Sequence, residues 1–309
     1  MTLIRVPLAC GLAEHYRDHV AVMGNFDGVH RGHQALLQET RALAVSLGKP
    51  LGAVVFEPHP RRVFQPDAPP FLLSPLNVKA DLLKAHGVDT VFALSFQKEL
   101  YQQSPEAFVR GVLHETLGLA GLATGKDFQF GKGRAGSSET LAAIASDLGI
   151  TYRAIEPIGE GEDKFSSSQA RQALREGDMD KARNVLGYDW FVDGTVGEGR
   201  KLARTLGFPT ANVALGDVLR PLYGVYAVRA DIDGMSYGGV ANIGVRPTVD
   251  GKEERLEVHL FDFEGDLYGK TMRTHFLGFI REERPMAGLD ALQDQIAKDS
   301  TAARKLLRS

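Results

Sequence analysis

Two histidines three residues apart, His30 and His33, close the run Val22-Met23-Gly24-Asn25-Phe26-Asp27-Gly28-Val29-His30-Arg31-Gly32-His33. The apolar stretch Val20–Met23 predicts a strand ahead of it. Leu36, Leu43 and Leu47 behind it predict a helix by their spacing. A glycine-rich strand-to-helix turn aims free backbone N–H groups and the positive end of the helix dipole at one spot, which suits a phosphate. Residues i and i+3 share a helix face, so both imidazoles can donate to the same phosphate oxygens as charge develops there. The alternative is a pair of exposed histidines in a polar loop. The coincidence of glycines, histidines and the strand-loop-helix setting weighs against it.

Three further segments in the same half carry polar groups at predicted strand or helix ends. In Phe56-Glu57-Pro58-His59-Pro60 the prolines stop a strand and hold His59 at its carboxyl end. In the run from Gly125 to Arg134, glycines permit close backbone approach, Asp127 can anchor a polar edge, and Phe128 and Phe130 can line a flat ring. Either phenylalanine taken singly fits a core position equally well. Ser166, Ser167 and Ser168 precede a helical stretch and offer a cap, hydroxyls and free N–H groups to an anion, with Arg171 one turn further in as a fork donor. By itself this last segment reads more simply as an ordinary cap with a surface arginine.

In the carboxyl half, Thr210 and Asn212 lie two apart in Pro209-Thr210-Ala211-Asn212 and point the same way in an extended strand. A hydroxyl and an amide carbonyl are hard oxygen ligands suited to Mg²⁺ already held by nucleotide phosphates. On this tetrapeptide alone, the polar face of an exposed strand is a reasonable alternative. Glu257 alternates with Leu256 and Val258 and so faces away from them. His259 shares its face and reads as structural.

Two rhythms surround these residues. Up to about residue 157, strands are expected at Val20–Met23, Leu51–Phe56, Thr90–Leu94, Leu119–Thr124 and Thr151–Ile155. Helices are expected at Gly32–Leu47, Asn77–His86, Pro105–Leu117 (capped by Ser104) and Ser138–Leu148. This βα alternation predicts a parallel sheet whose ligands sit beyond the strand carboxyl ends. Beyond residue 188, strands at Tyr223–Asp231, Met235–Val245, Arg255–Phe263 and Lys270–Phe279, with turns at Asp233-Gly234 and Glu264-Gly265, predict an antiparallel barrel. Leu289, Leu292, Ile296 and Leu306 predict a terminal helix over Leu289 to Leu307 with one break. The boundary falls near Leu186–Trp190, giving domains 1–187 and 188–309.

With 309 residues, 43% of them hydrophobic, two ordinary cores are affordable. A net charge of −3 gives no bulk electrostatic case for nucleic acid as a partner. The single cysteine, Cys10, excludes an intrachain disulfide and reads as a small buried apolar residue. No stretch resembles a signal peptide or reaches the length of a membrane span, so a cytoplasmic location and no membrane partner are expected. Oligomeric state is not legible.

The order G-N-F-D-G-V-H-x-G-H, F-E-P-H-P, G-x-D-F-x-F-G, S-S-S-x-x-R resembles the adenylyltransferase module of bacterial bifunctional riboflavin kinase/FAD synthetases. The carboxyl half resembles their riboflavin kinase module. There Pro-Thr-Ala-Asn at 209–212 is followed in family order by Gly224-Val225-Tyr226, the run from Gly239 to Thr248, Leu256 to Phe263, Asp266-Leu267-Tyr268-Gly269 and Ile280-Arg281-Glu282-Glu283. The resemblance covers nearly the whole chain. It implies an α/β, Rossmann-like nucleotidyltransferase domain with a parallel sheet, then an antiparallel β-barrel kinase domain with a C-terminal helix. It also implies phosphorylation of riboflavin by ATP to FMN and ADP, then adenylylation of FMN by ATP to FAD and pyrophosphate.

On that resemblance His30 and His33 stabilise the transferring phosphate, while Ser166, Ser167, Ser168 and Arg171 hold the ATP phosphates. Gly24, Asn25 and Phe26 line the nucleotide, and His59, Asp127 and Phe128 are flavin candidates. Thr210 and Asn212 bind Mg²⁺ with ATP, and Glu257 is the base that takes the riboflavin hydroxyl proton. Two departures are visible: Ala170 where a larger apolar residue is common, and Lys201-Leu202-Ala203-Arg204 where the family often reads R-G-R. A chain with only one of the two activities would lack a histidine, a serine or Glu257, and none is missing. A non-catalytic flavin or nucleotide sensor acting on RNA predicts lost catalytic side chains or a basic patch, and neither is seen.

Overall fold

The computed structural model describes residues 2–7, 12–160, 163–197, 210–248, 251–284 and 286–308. They form two compact units, one of residues 1–69 with 74–166 and the other of 70–73 with 167–309. Cys10 and the segment 201–209, with Ala203 and Pro209, lie outside the described residues.

The first unit is a six-stranded sheet with parallel pairing throughout: β1 (Thr2–Val6), β2 (Val20–Met23), β3 (Leu51–Glu57), β4 (Thr90–Ser95), β5 (Gly121–Gly125) and β6 (Thr151–Ile155), in the spatial order β1-β4-β3-β2-β5-β6. The chain leaves β2 toward β3 on one side and later returns to β5 on the other. The crevice beyond the carboxyl end of β2 is therefore a topological switch point, the place where such sheets bind ligands. Val20, Ala21, Val22 and Met23 are all buried, as a central strand covered on both faces requires. Two apolar clusters fill the two sides of the sheet, one around Met23, Phe92 and Leu113, the other around Val22, Leu37 and Val91.

In this unit the predicted strands match to within about two residues, and Val20–Met23 and Thr151–Ile155 agree at both ends. The helices begin and end where caps allow. Arg31–Leu47 stops at Gly48, whose φ of 64° is the left-handed cap conformation. Ser104 Oγ accepts from Ala107 N at 3.1 Å, as its place before Pro105 predicted. The helix it caps is α-helical only over Pro105–Ala107 and widens to a π-type helix over Phe108–Thr116. A two-stranded ribbon, β7 (Gly159–Glu160) with β8 (Asp163–Lys164), completes this unit.

The second unit is a closed antiparallel barrel of β9 (Phe191–Gly197), β10 (Ala211–Val213), β11 (Gly224–Ile232), β12 (Met235–Thr248), β13 (Gly251–Leu260) and β14 (Thr271–Glu282), in the order β10-β13-β12-β11-β14-β9. Asp233 and Gly234, both at positive φ, make the tight turn between β11 and β12. Strand alternation fills the barrel with Tyr226, Val228, Ala230, Ala241, Ile243, Leu256, Val258 and Met272, while Val225 and Ala227 pack outward with Ala303 of the terminal helix.

The terminal helix, Leu289–Leu306, is continuous, which corrects the predicted break. Its leucine stripe looks interrupted because its most buried positions are Asp299 and Ala303, while Leu289 and Leu306 are exposed. Asp299 is held by a fork from Arg281, with Nη2 to Oδ2 at 2.7 Å and Nε to Oδ1 at 3.0 Å. A bidentate pair thus occupies a place where the pattern anticipates a leucine.

Candidate active sites

The turn after β2 is built under strain. Phe26, Gly28 and Val29 have φ of 48°, 77° and 37°, and neither Phe26 nor Val29 is at all exposed. Side chains other than glycine rarely adopt such values, and a site must over-determine them to keep them. Here the buried Asp27 does so. Its Oδ1 accepts from Ser74 N at 3.0 Å, and Ser74 Oγ accepts from Gly28 N at 2.8 Å. The turn delivers His30 as the cap residue of the helix Arg31–Leu47, with His33 three positions in.

The two imidazoles stack with centroids 3.6 Å apart and planes 25° from parallel. Phe26 packs beneath, its ring 4.8 Å from that of His33. Phe26 therefore supports a histidine from inside the core. Gly32 makes room for the stack: a Cβ there would stand 3.1 Å from the His30 ring and 3.2 Å from the Phe165 carbonyl oxygen. Burial holds the His33 pKa well below the ordinary imidazole value, and the neighbouring charges of His30 and Lys79 add to the effect. His33 is accordingly neutral in the resting protein, and its Nδ1 is buried with no hydrogen-bond partner among the described residues.

Beside this turn lies a cavity of about 750 Å³ lined by Asn25, His59, Phe64, Phe96, Tyr101 and Phe128, among others. It brings together the predicted His59, Phe128 and Asn25. Asp127 is exposed and does not line it. His59 caps the helix Pro60–Phe64, its Nδ1 accepting from Arg61 N at 3.1 Å. Phe64, Phe96 and Tyr101 were not anticipated. They form an aromatic wall with centroids 5.3 to 5.9 Å apart, and Phe64 remains 62% exposed. An aromatic left so open in a cavity wall offers a face to a flat ligand. The signal available was position, because each follows the carboxyl end of β3 or β4. Arg61, Lys132 and Arg134 supply positive charge around the cavity, and among the described residues no carboxylate lines it.

The predicted serines begin the helix Ser167–Glu176, with Ser166 just before it. Ala170 is fully buried. Arg171 Nε donates to the Phe71 carbonyl at 2.9 Å, which fixes the guanidinium in place.

In the barrel, register does what sequence distance hides. Asn212 lies opposite Glu257 across β10 and β13, and Glu257 lies opposite Asn242 across β13 and β12. Directly opposed residues share a face, so the three make one polar rung. Their strand neighbours Ala211, Leu256, Val258, Ala241 and Ile243 are buried, which puts the rung on the outer face of the barrel. Thr210 precedes Asn212 by two residues and is half-buried like it.

Arg255 Nη1 stands 3.9 Å from Glu257 Oε1. Asn242 Nδ2 donates to Glu283 Oε1 at 3.2 Å, and Glu283 lies over Gly244, where any Cβ would collide with its carboxylate. Asn242 and Glu283 thus join the predicted pair. Among the described residues, no three His, Cys, Asp or Glu side chains gather as a metal-ligand set. A cation here would depend on the neutral oxygens of Thr210 and Asn212 and on a nucleotide's phosphates.

Residues 12–169 match the FAD synthetase family model, and residues 186–307 match that of riboflavin kinase. The chain belongs to the bifunctional riboflavin kinase/FMN adenylyltransferase family. A Pseudomonas fluorescens enzyme of that name is 46% identical over 96% of this chain and 95% of its own. The Escherichia coli K12 enzyme is 39% identical over 93% and 92%. A crystal structure from Streptococcus pneumoniae, titled a macrolide-efflux protein, superposes with a TM-score of 0.86 at 29% identity over 98% of each chain. Among the described residues of this chain, no helix is long and apolar enough to cross a membrane.

Proposed function

We propose that the two activities of this family member run on two separate residue sets, with the functional boundary at 187/188. The chain phosphorylates riboflavin with ATP to FMN and ADP, and adenylylates FMN with ATP to FAD and pyrophosphate. The observation that carries the assignment is the segregation of the groups. His30 and His33 stack in the first unit, whereas Asn212 and Glu257 share a rung in the second.

In adenylyl transfer, an FMN phosphate oxygen attacks the α-phosphorus of ATP and pyrophosphate leaves. The chain's work is positioning and charge stabilisation. His30 and His33 donate to the phosphate oxygens, in the turn that Gly24, Asn25 and Phe26 begin. Ser166, Ser167, Ser168 and Arg171 hold the nucleotide phosphates. The aromatic cavity takes the isoalloxazine ring against Phe128 and His59, and Asp127 contributes from outside the cavity wall.

In the kinase half, Glu257 accepts the proton of the ribityl hydroxyl as it attacks the γ-phosphate. Both steps use ATP with a divalent metal. We assign Mg²⁺, held by Thr210 and Asn212, which offsets phosphate charge when bound. The reading places the enzyme in the cytoplasm, where ATP is supplied.

Flavin chromatography after incubation with riboflavin, ATP and Mg²⁺ tests the whole. FMN followed by FAD is expected. FAD from supplied FMN but no product from riboflavin would remove the Thr210/Asn212/Glu257 assignment, and FMN alone would remove the His30/His33 one.

A further inference from the structure

Lys79 is the buried charge that these mechanisms leave unused. It lies one turn into the helix Leu76–Ala85 and is 1% exposed. Lysine is almost never buried to that degree without carboxylates near its ammonium. Two are near: Asp27 from the strained turn and Glu57 from the end of β3, whose charges favour the ammonium against its burial. The lysine's charge acts on His33, near the start of another helix. On its own helix, Asp81 and Lys84 are exposed.

The geometry joins Lys79 to the catalytic turn. Ser74, which receives Gly28 N and donates to Asp27, comes just before the helix that carries Lys79. Lys79 sits on a helix, where Cα–Cβ bonds tilt toward the N-terminus, the end that Ser74 precedes and links to Asp27. Its charge reaches far enough to act on His33.

From this placement we infer that Lys79 is a positioning residue for adenylyl transfer: a buried ammonium that balances Asp27 and Glu57, secures the Asp27–Ser74–Gly28 link, and sets the charge that the His30–His33 pair experiences. Without it, Asp27 and Glu57 lose a favourable charge behind the turn, and the imidazole positions loosen. The positive charge also opposes protonation of His33, which keeps that ring a neutral N–H donor into mildly acidic solution. The inference rests on the assignment of His30 and His33 to FAD formation.

The test is Lys79→Met in the full chain, with FAD formation from FMN and ATP followed across the acid and neutral range. The expected result is a kcat lower by about 10- to 100-fold, as for a misplaced catalytic group, with the KM for ATP changed by less than about threefold. The acid limb should move to higher pH by about one unit, because removing the ammonium lets the imidazole protonate more easily. Lys79→Arg should keep the acid limb in place. Lys79→Met combined with Asp27→Asn removes one of the two carboxylates that interact with the ammonium. It should fold if the single variant does not, and still show the shifted limb. FMN formation from riboflavin should be unchanged throughout.

A lower kcat with an unmoved limb, or Lys79→Arg moving the limb as far as Lys79→Met, would reduce the lysine to packing and overturn the inference. An unchanged kcat would do the same. A parallel His33→Ala separates the two levels: if that variant still makes FAD, the site assignment has failed, not the role of Lys79 alone.

Discussion

The two residue sets place their polar groups in opposite ways. His30 is 7% exposed, stacked on its partner, and held in a turn whose backbone is strained and cross-linked through Asp27 and Ser74. Glu257 has a side chain 36% exposed on the outside of a barrel, set by strand register and in loose contact with Arg255. A group that must donate to a phosphate without becoming charged gains from burial, which disfavours the imidazolium. A group that must remain an anion and accept a proton gains from contact with water and a nearby guanidinium. The first site is therefore pre-packed. The second is a polar patch on the outer face of a barrel.

The sharpest way to break this comparison is Glu257→Ala, which should lower FMN formation by about 10²- to 10⁴-fold while FAD still forms from supplied FMN. His33→Ala should do the converse, lowering FAD formation by about 10²- to 10³-fold and sparing the kinase. If either change removes both activities from a folded protein, the division into two sets is wrong. A pH profile sharpens the contrast. His33 titrates below its ordinary value of 6.5, so FAD formation should hold as the pH falls through that value and decline only further down.

Gly32→Ala tests pre-packing itself. The added methyl presses on the His30 ring and the Phe165 carbonyl, and should cost about tenfold in the kcat of FAD formation with FMN formation untouched. The smallest effect is expected for Phe64→Ala. It should raise the KM for FMN by about three- to tenfold by removing one aromatic face, with kcat nearly constant. Equal kinetics with and without Phe64 would take the aromatic wall out of flavin binding.

Local chemistry made much of this legible. The apolar run Val20–Met23, the glycines around His30 and the capping serine at 104 each act over a few residues, and each held. Edge elements were harder to see. β1 is short and half-exposed, and its strand character comes from pairing with β4, as Thr2 with Thr90. The terminal helix read as broken because Asp299 is polar, and its reason for burial, Arg281, lies eighteen positions away. Phe64, Phe96 and Tyr101 carried no motif. Only the fold makes them one wall.

The sequence by itself determined the order of strands and helices, the two rhythms, and the residue types able to meet a phosphate, a cation or a hydroxyl proton. These depend on periodicity and on turn chemistry, which are local. Tertiary structure decided which of those residues meet. In one rung Asn212 meets Glu257, forty-five positions on, and Glu257 meets Asn242, fifteen positions back, because barrel register sets their partners. The charge of Lys79 acts on Asp27, in a turn some fifty residues earlier, and Ser74, just before the lysine's helix, is bonded to that same Asp27. Burial decided the charge state of His33, and burial is a property of the whole unit around a residue.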